Sequence, residues 1–399
     1  MGRNRRGWAA LLLLLAGCAA NREDTLAAYG RALPPGQLGL VPLPAGEAPP
    51  DWSVGWQDRR NLQEAVLNSL DYLAAPSSRK FFPYGEISHE RMVASLERFL
   101  EILQTSRTAE EFRAAVERDF EVWVARGRDN TGDVLFTGYL RPIFPGSLRP
   151  DGVYRHPLYG LPGDLVKGED GEILGRRTED GRVVPYYTRA ELARNHHLDG
   201  LELVWLRDPF HAYIAQVQGS AIVELPDGRF LEFGYAGKNG HDYVSIGEVL
   251  IEEGKIERHE LSLLRLIQYF REHPEDLDRV LEKNPSFVFF QPMEGGPYGA
   301  LGRKVLPYRS LATDKEAFPR AGLAFVELRL PEYDPEGRLV HRPERFFALD
   351  QDRGGAIRSA GRCDVFLGTG DERLLARAGQ LYARGRMYYL FLRESVLHP

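Results

Sequence analysis

After Gly127 the apolar residues stop recurring every three or four positions and fall into short runs divided by turn residues. The runs cover 134–139, 153–159, 201–205, 214–217, 221–225 and 230–233, and later 323–329, 346–349, 364–367 and 387–392. They have the length and the branched or aromatic content of strands, and Pro226-Asp-Gly228 reads as a hairpin turn. So many short strands at close spacing point to a barrel or a sandwich and away from an open parallel sheet. Three amphipathic helices precede them. Leu62, Val66, Leu70 and Leu73 share one face, and Met92, Leu96, Phe99 and Leu103 share the next. The third helix opens on Thr108-Ala-Glu-Glu111, a capping box, and is expected to bury Phe112, Val116 and Trp123. Helices return at Ser245-Ile-Gly-Glu248 and over 261–272, which Pro274 closes. A helical first third and a β-rich tail thus flank a self-contained β segment. That order predicts one discontinuous domain with a second inserted into it.

The extreme N-terminus has the composition of an export leader. Arg3, Arg5 and Arg6 precede an apolar run that is too short to span a bilayer, followed by Leu15-Ala-Gly-Cys18. A cysteine directly after Ala-Gly is the pattern of a bacterial lipoprotein whose mature chain begins at a lipidated Cys18; the alternative is an ordinary leader cut near Ala19 or Ala20. Ala19 resembles the signal for outer-membrane sorting. Loss of 1–17 leaves 48 basic and 57 acidic side chains, a formal charge of −9. Such a chain has no electrostatic reason to bind nucleic acid, but it can work on an uncharged glycan. The Pro/Gly-rich stretch 34–50 reads as part of a tether over 18–50.

The residues that can carry chemistry are few. Asp352-Arg-Gly-Gly-Ala-Ile357 is followed by Asp364-Val-Phe-Leu-Gly368, where alternation places Asp364 at the mouth of a strand. Gly354-Gly355 lets backbone or ligand approach without a Cβ in the way. With Cys18 lipidated, Cys363 is the only thiol left; alternation turns it away from Asp364, as a small buried hydrophobe. His196-His197 is not metal-spaced, His241 lacks a partner motif, and no Gly-x-Ser-x-Gly elbow occurs. No metal and no cofactor is expected.

Together with Ala312-Thr-Asp-Lys315, these two acidic segments resemble the three-aspartate C-terminal segment of the membrane-bound lytic murein transglycosylase A family. Phe136-Thr-Gly-Tyr139, Val217-Gln-Gly-Ser220, Tyr235-Ala-Gly-Lys-Asn-Gly-His241 with Ser245-Ile-Gly247, and Asn284-Pro-Ser-Phe-Val-Phe-Phe290 follow in the family's order. The chain departs from the pattern between the acids, where Arg358-Ser-Ala-Gly-Arg362 is one residue longer and replaces a usual Lys-Gly pair. Asp350 and Asp352 both remain open for the first acidic position. The resemblance implies a mainly β fold: a double-psi β-barrel domain with N-terminal helices, a smaller inserted β-barrel, and a groove between them. The corresponding boundaries are 1–17 for the leader, 18–50 for the tether, 51–141 with 297–399 for the catalytic domain, and 142–296 for the inserted substrate-binding domain.

The activity implied is cleavage of the bond between N-acetylmuramic acid and N-acetylglucosamine in peptidoglycan, leaving 1,6-anhydro ends. Asp364 would serve as acid and base, with Asp352 and Asp314 in support. Thr137, Tyr139, Gln218, Ser220, Tyr235, Lys238 and Asn239 are of types that bind sugars. The partners implied are glycan strands, the inner leaflet of the outer membrane through the lipid, and proteins of the wall-synthesis machinery. Two rivals stand beside this reading: a hydrolase using an Asp364–Asp352 pair, and a non-catalytic wall-binding lipoprotein.

Overall fold

A computed structural model of the chain describes residues 28–398 except 60, 169–172, 262, 355, 356 and 358. The leader 1–17, Cys18 and Gly355 lie outside the described residues. The chain divides into two compact units. One comprises 1–139, 297–368 and 377–399, the other 140–296 with 369–376.

The first unit is built on a closed ring of six strands, the first and fifth of which run past 139 and 368 into residues of the second unit. They are β1 (Val134–Ser147), β2 (Ser310–Ala312), β3 (Leu323–Tyr333), β4 (Leu339–Asp352), β5 (Arg362–Gly370) and β6 (Tyr382–Leu392). The order β1-β6-β3-β4-β2-β5 returns to β1. β4 and β2 run parallel, whereas β3 pairs antiparallel with both β4 and β6. Closure leaves the ring with no free edge. Strands Leu40–Pro42 and Phe120–Ala125 extend it from β6. Helices Leu62–Ala74, His89–Thr105 and Ala109–Asp119 pack against it, the last two capped by Ser88 and Thr108. Phe347 of β4 locks helices to ring, with its centroid 4.9 Å from Phe99 and 6.0 Å from Phe112.

Three expectations change here. Trp123 lies on strand Phe120–Ala125, not on the third helix, which ends at Asp119. The Thr108 box is half made: Thr108 accepts Glu111 N–H at 3.1 Å, but the Glu111 carboxylate takes the N–H of Arg107. The segment read as a tether is docked at several points between 29 and 50, although 34–36 and 44–49 are exposed. Tyr29 is 1% exposed, Leu40–Pro42 is a strand, and the Tyr29 carbonyl accepts the hydroxyl of Ser359. An aromatic ring and a strand edge outweighed the Pro/Gly content.

The second unit holds the predicted hairpin Ser220–Glu224/Phe230–Lys238, continued by Val288–Met293. A three-stranded sheet of Leu165–Lys167, Ile173–Arg177 and Val183–Val184 stands apart. The unit is not purely β. Residues 214–217, read as a strand, belong to helix Pro209–Gln218. Its start is marked by Asp208, which accepts Phe210 N–H, with Pro209 at the first helical position. Gly219, at φ +73°, ends it. These end signals outweigh the strand preference of Ile214 and Val217.

Candidate active site

The short strand β2 brings the acids together. Ala312 pairs with Asp352 of β4 on one side and with Asp364 of β5 on the other. One rung of the barrel therefore carries both residues at the same height, two strands apart.

Asp364 is the less engaged of the two, and its side chain is 21% exposed. Thr137 of β1 donates its hydroxyl to Asp364 Oδ1. Arg362 Nη2 donates to the same Thr137 hydroxyl at 3.2 Å and lies 3.8 Å from Oδ1. Burial pushes the Asp364 carboxyl above the ordinary carboxylate range and the Asp352 charge adds to it, while Arg362 and the Thr137 hydrogen bond pull it down. Cys363 beside it is fully buried and turned inward, its thiol pushed up by burial.

Asp352 is an anchored acceptor. Its Oδ2 takes the Tyr139 hydroxyl at 2.8 Å, and its Oδ1 takes the backbone N–H groups of Ala300 and Arg353, each at 2.8 Å. The Tyr139 ring leans on Phe366 at 5.1 Å. Gly299 makes the approach possible, because a Cβ there would stand 2.7 Å from the Gln351 carbonyl and 3.2 Å from Asp352 Cγ.

Asp350 has a different setting. The register slips between Leu311 and Ala312, so Leu311 faces Asp350 and Ala312 faces Asp352. Gln351 is the residue passed over. Its amide donates to Ala65 O at 2.7 Å and Ser69 Oγ at 3.0 Å, and its Oε1 accepts Ser310 Oγ at 2.6 Å. Bulges of this kind re-aim a side chain. Asp350 is left fully buried, paired with Lys315 and bonded to Thr313 and Tyr389. The acid that faces Asp364 across the rung is Asp352. Asp314, two residues beyond Ala312, accepts Glu316 N–H at 3.1 Å in its own turn.

The remaining candidates belong to the second unit. Gln218 ends a helix and Ser220 begins the next strand, both half-buried. The rung Gly234–Ser220 sets Tyr235 beside Ser220, and Tyr235 is 51% exposed. Lys238, at the end of the same strand, is exposed. Asn239 is the exception. It is 2% exposed, its amide donates to Tyr187 O at 2.9 Å and Pro285 O at 2.8 Å, and its Oδ1 accepts Phe287 N–H at 2.9 Å. It braces two loops and has no group to offer a sugar.

Sequence reasoning passed over Arg362 as a site residue. The one signal for it was its place in the segment that departs from the usual Lys-Gly pair. Among the described residues no group of three His, Cys, Asp or Glu side chains is placed to hold a metal ion. Nor is any helix there long and apolar enough to cross a membrane.

Two family models match the chain: the MltA specific insert domain over 135–291 and the 3D domain over 309–391. The membrane-bound lytic murein transglycosylase A of Vibrio cholerae is 36% identical over 67% of this chain and 68% of its own length. That of Escherichia coli is 32% identical over 68% and 69%. Among solved structures, a membrane-bound lytic murein transglycosylase from Agrobacterium tumefaciens shares the fold at a TM-score of 0.71 and 24% identity, over 90% of this chain and 99% of that one. Escherichia coli MltA with bound chitohexaose superposes at 0.65 and 26% identity, over 91% and 96%. With the ring, the paired acids and these matches together, the chain belongs to the membrane-bound lytic murein transglycosylase A family.

Proposed function

We propose that the chain cleaves the β-1,4 bond between N-acetylmuramic acid and N-acetylglucosamine in peptidoglycan, with Asp364 as its single acid and base. Asp364 protonates the leaving oxygen. As carboxylate it then takes the proton of the muramoyl C6 hydroxyl, which closes on C1 as a 1,6-anhydro ring. No water is consumed.

The observation that carries this reading is the unequal engagement of the two facing carboxylates. Both oxygens of Asp352 are occupied by three donors, which suits a fixed anion that orients and biases its neighbour. Asp364 has Oδ1 bonded to Thr137 and a carboxyl raised by burial, which suits a proton donor near neutral pH. A hydrolytic pair needs the second carboxylate free to activate a water or to attack C1, and Asp352 is not free. Mass analysis of products from purified sacculi tests the reading. Anhydro products are one water lighter than hydrolytic ones, and wild-type products with reducing muramic acid ends would overturn it.

Gln218, Ser220, Tyr235 and Lys238 supply sugar contacts in this proposal, with Thr137 and Tyr139 nearer the acid; Asp314 supports its own loop. The chitohexaose bound by the Escherichia coli neighbour favours a chain of N-acetylated hexosamines as the ligand. The double-psi winding of the ring, barrel closure of the inserted unit, a glycan groove, and the boundaries 51–141 with 297–399 and 142–296 belong to the same proposal. A structure with a bound muroglycan oligomer tests them. We place the chain at the periplasmic face of the outer membrane, held through lipid on Cys18. The leader pattern and the membrane-bound relatives support this. Cys18→Ser should leave either uncleaved precursor or a soluble form; unchanged fractionation with the outer membrane would remove the anchor from the reading.

A further inference from the structure

Next to the anchored acid stands a group of cations that the chemistry above does not use. Arg353 directly follows Asp352. Arg320 precedes Ala321, whose N–H donates to the Asp350 carbonyl at 2.9 Å. The Arg320 guanidinium lies over the Phe81 ring at 3.8 Å, and Lys80 Nζ lies 5.0 Å from the same ring. Among the described residues none of these three cations is within ion-pairing distance of a carboxylate, although nearby Asp71 is paired, with Arg303. Tyr72, 8% exposed, has a hydroxyl with no hydrogen-bond partner there. Burial holds Arg320 below its ordinary value; Tyr72 acts the other way, repulsion from Arg353 adds to the lowering, and the weaker pull of the Asp350 charge opposes it. Phe81 itself is 40% exposed.

A chain of formal charge −6 has acids to spare. Two cations at one exposed ring, with a third close enough to repel Arg320 and, among the described residues, no carboxylate within ion-pairing distance, form a costly arrangement unless an anion arrives from outside. The guanidinium fork matches a carboxylate in shape, and stacking on an aromatic face fixes its direction in advance. A muramoyl residue being cut carries, through its lactyl group, a peptide with free carboxylates.

We propose that Arg320, Arg353 and Lys80, with Phe81 and Tyr72, form a subsite for the carboxylates of the peptide stem on the glycan strand. The inference rests on the glycan-cleaving reading above. It makes the chain favour peptide-bearing strands over bare ones.

The test compares the full chain in detergent on two substrates: glycan strands with their stems, and the same strands stripped by an amidase. Wild type should show the lower KM on the stem-bearing strands. Arg320→Gln should raise that KM about tenfold, equivalent to roughly 1.4 kcal/mol, while kcat and the KM for stripped strands stay unchanged. Arg320→Lys should recover part of the loss, and Lys80→Gln, at the surface, should move KM in the same direction by less. Equal KM values for the two substrates in wild type would overturn the proposal, as would equal increases for both in Arg320→Gln. Calorimetric titration with free stem tetrapeptide supplies a readout independent of turnover. The acid form should bind and its carboxamide form should not; inorganic phosphate binding as well as the peptide would make the corner a general anion site and sink the stem assignment. Peptide binding without strand cleavage would break the activity reading and leave the subsite. Cleavage without discrimination would do the reverse.

Discussion

Asp350 and Asp364 are both raised above the ordinary carboxylate range, and in both burial is the main cause. Their partners divide them. Asp350 is fully enclosed and receives Lys315, Thr313 and Tyr389. Asp364 keeps a fifth of its side chain in solvent, with one hydroxyl on one oxygen and a guanidinium 3.8 Å away. A saturated buried acid holds a structure together. An undersaturated one that keeps part of its side chain in solvent retains capacity to exchange a proton, so burial identifies neither role until the partners are counted.

The largest effect that would test this contrast is on stability. Lys315→Met leaves the Asp350 charge uncompensated in the core and should cost about 3–5 kcal/mol in urea unfolding, whereas adding Asp350→Asn should recover most of the loss. Asp364→Asn should act oppositely, cutting turnover by at least ~10² while oligosaccharide binding and unfolding midpoint hold. Near-normal release of anhydro products by that variant would end the single-acid mechanism. Tyr389→Phe removes one donor from Asp350 and should lower stability by about 1–3 kcal/mol without moving the pH profile of turnover. The smallest effects lie in that profile. Asp364 must be protonated to act, so activity is present below its pKa and lost as pH rises through it. Asp352→Asn removes a charge that raises this pKa and should move the alkaline limb down. Arg362→Gln removes one that lowers it and should move the limb up, each by up to about one unit. Shifts in the same direction would show that the two side chains act through folding and not through charge.

Much of the frame was legible because it rests on periodicity and punctuation. The strands around 323–329, 346–349, 364–367 and 387–392 and the hairpin at Pro226-Asp-Gly228 all form. Asp364 stands near the start of its strand, as alternation suggested. What escaped is information held between distant segments. The bulge at Gln351, which gives Asp350 and Asp352 their separate roles, depends on Ala65 and Ser69 of a helix nearly three hundred residues earlier. No local pattern announces it. Asn239 has the composition of a sugar ligand, and only the three backbone groups it meets reveal a brace. Helix Pro209–Gln218 was misread from its β-branched residues, although Asp208-Pro209 and Gly219 marked both of its ends.

The docking of Tyr29 has a mechanical consequence. Its hydroxyl is held by Asp133 and by Arg384 at 2.7 Å, and its carbonyl by Ser359, in the segment that leads to Asp364. On the proposed Cys18 anchor, a free tether over 18–50 would be a leash of about 110 Å at full stretch. Fixing Tyr29 leaves eleven residues between Cys18 and the fold, a reach of no more than about 40 Å. The enzyme would then graze only the layer of wall nearest its own membrane. Any pull on the lipid would be borne at Tyr29, whose carbonyl holds Ser359, five residues before the acid Asp364.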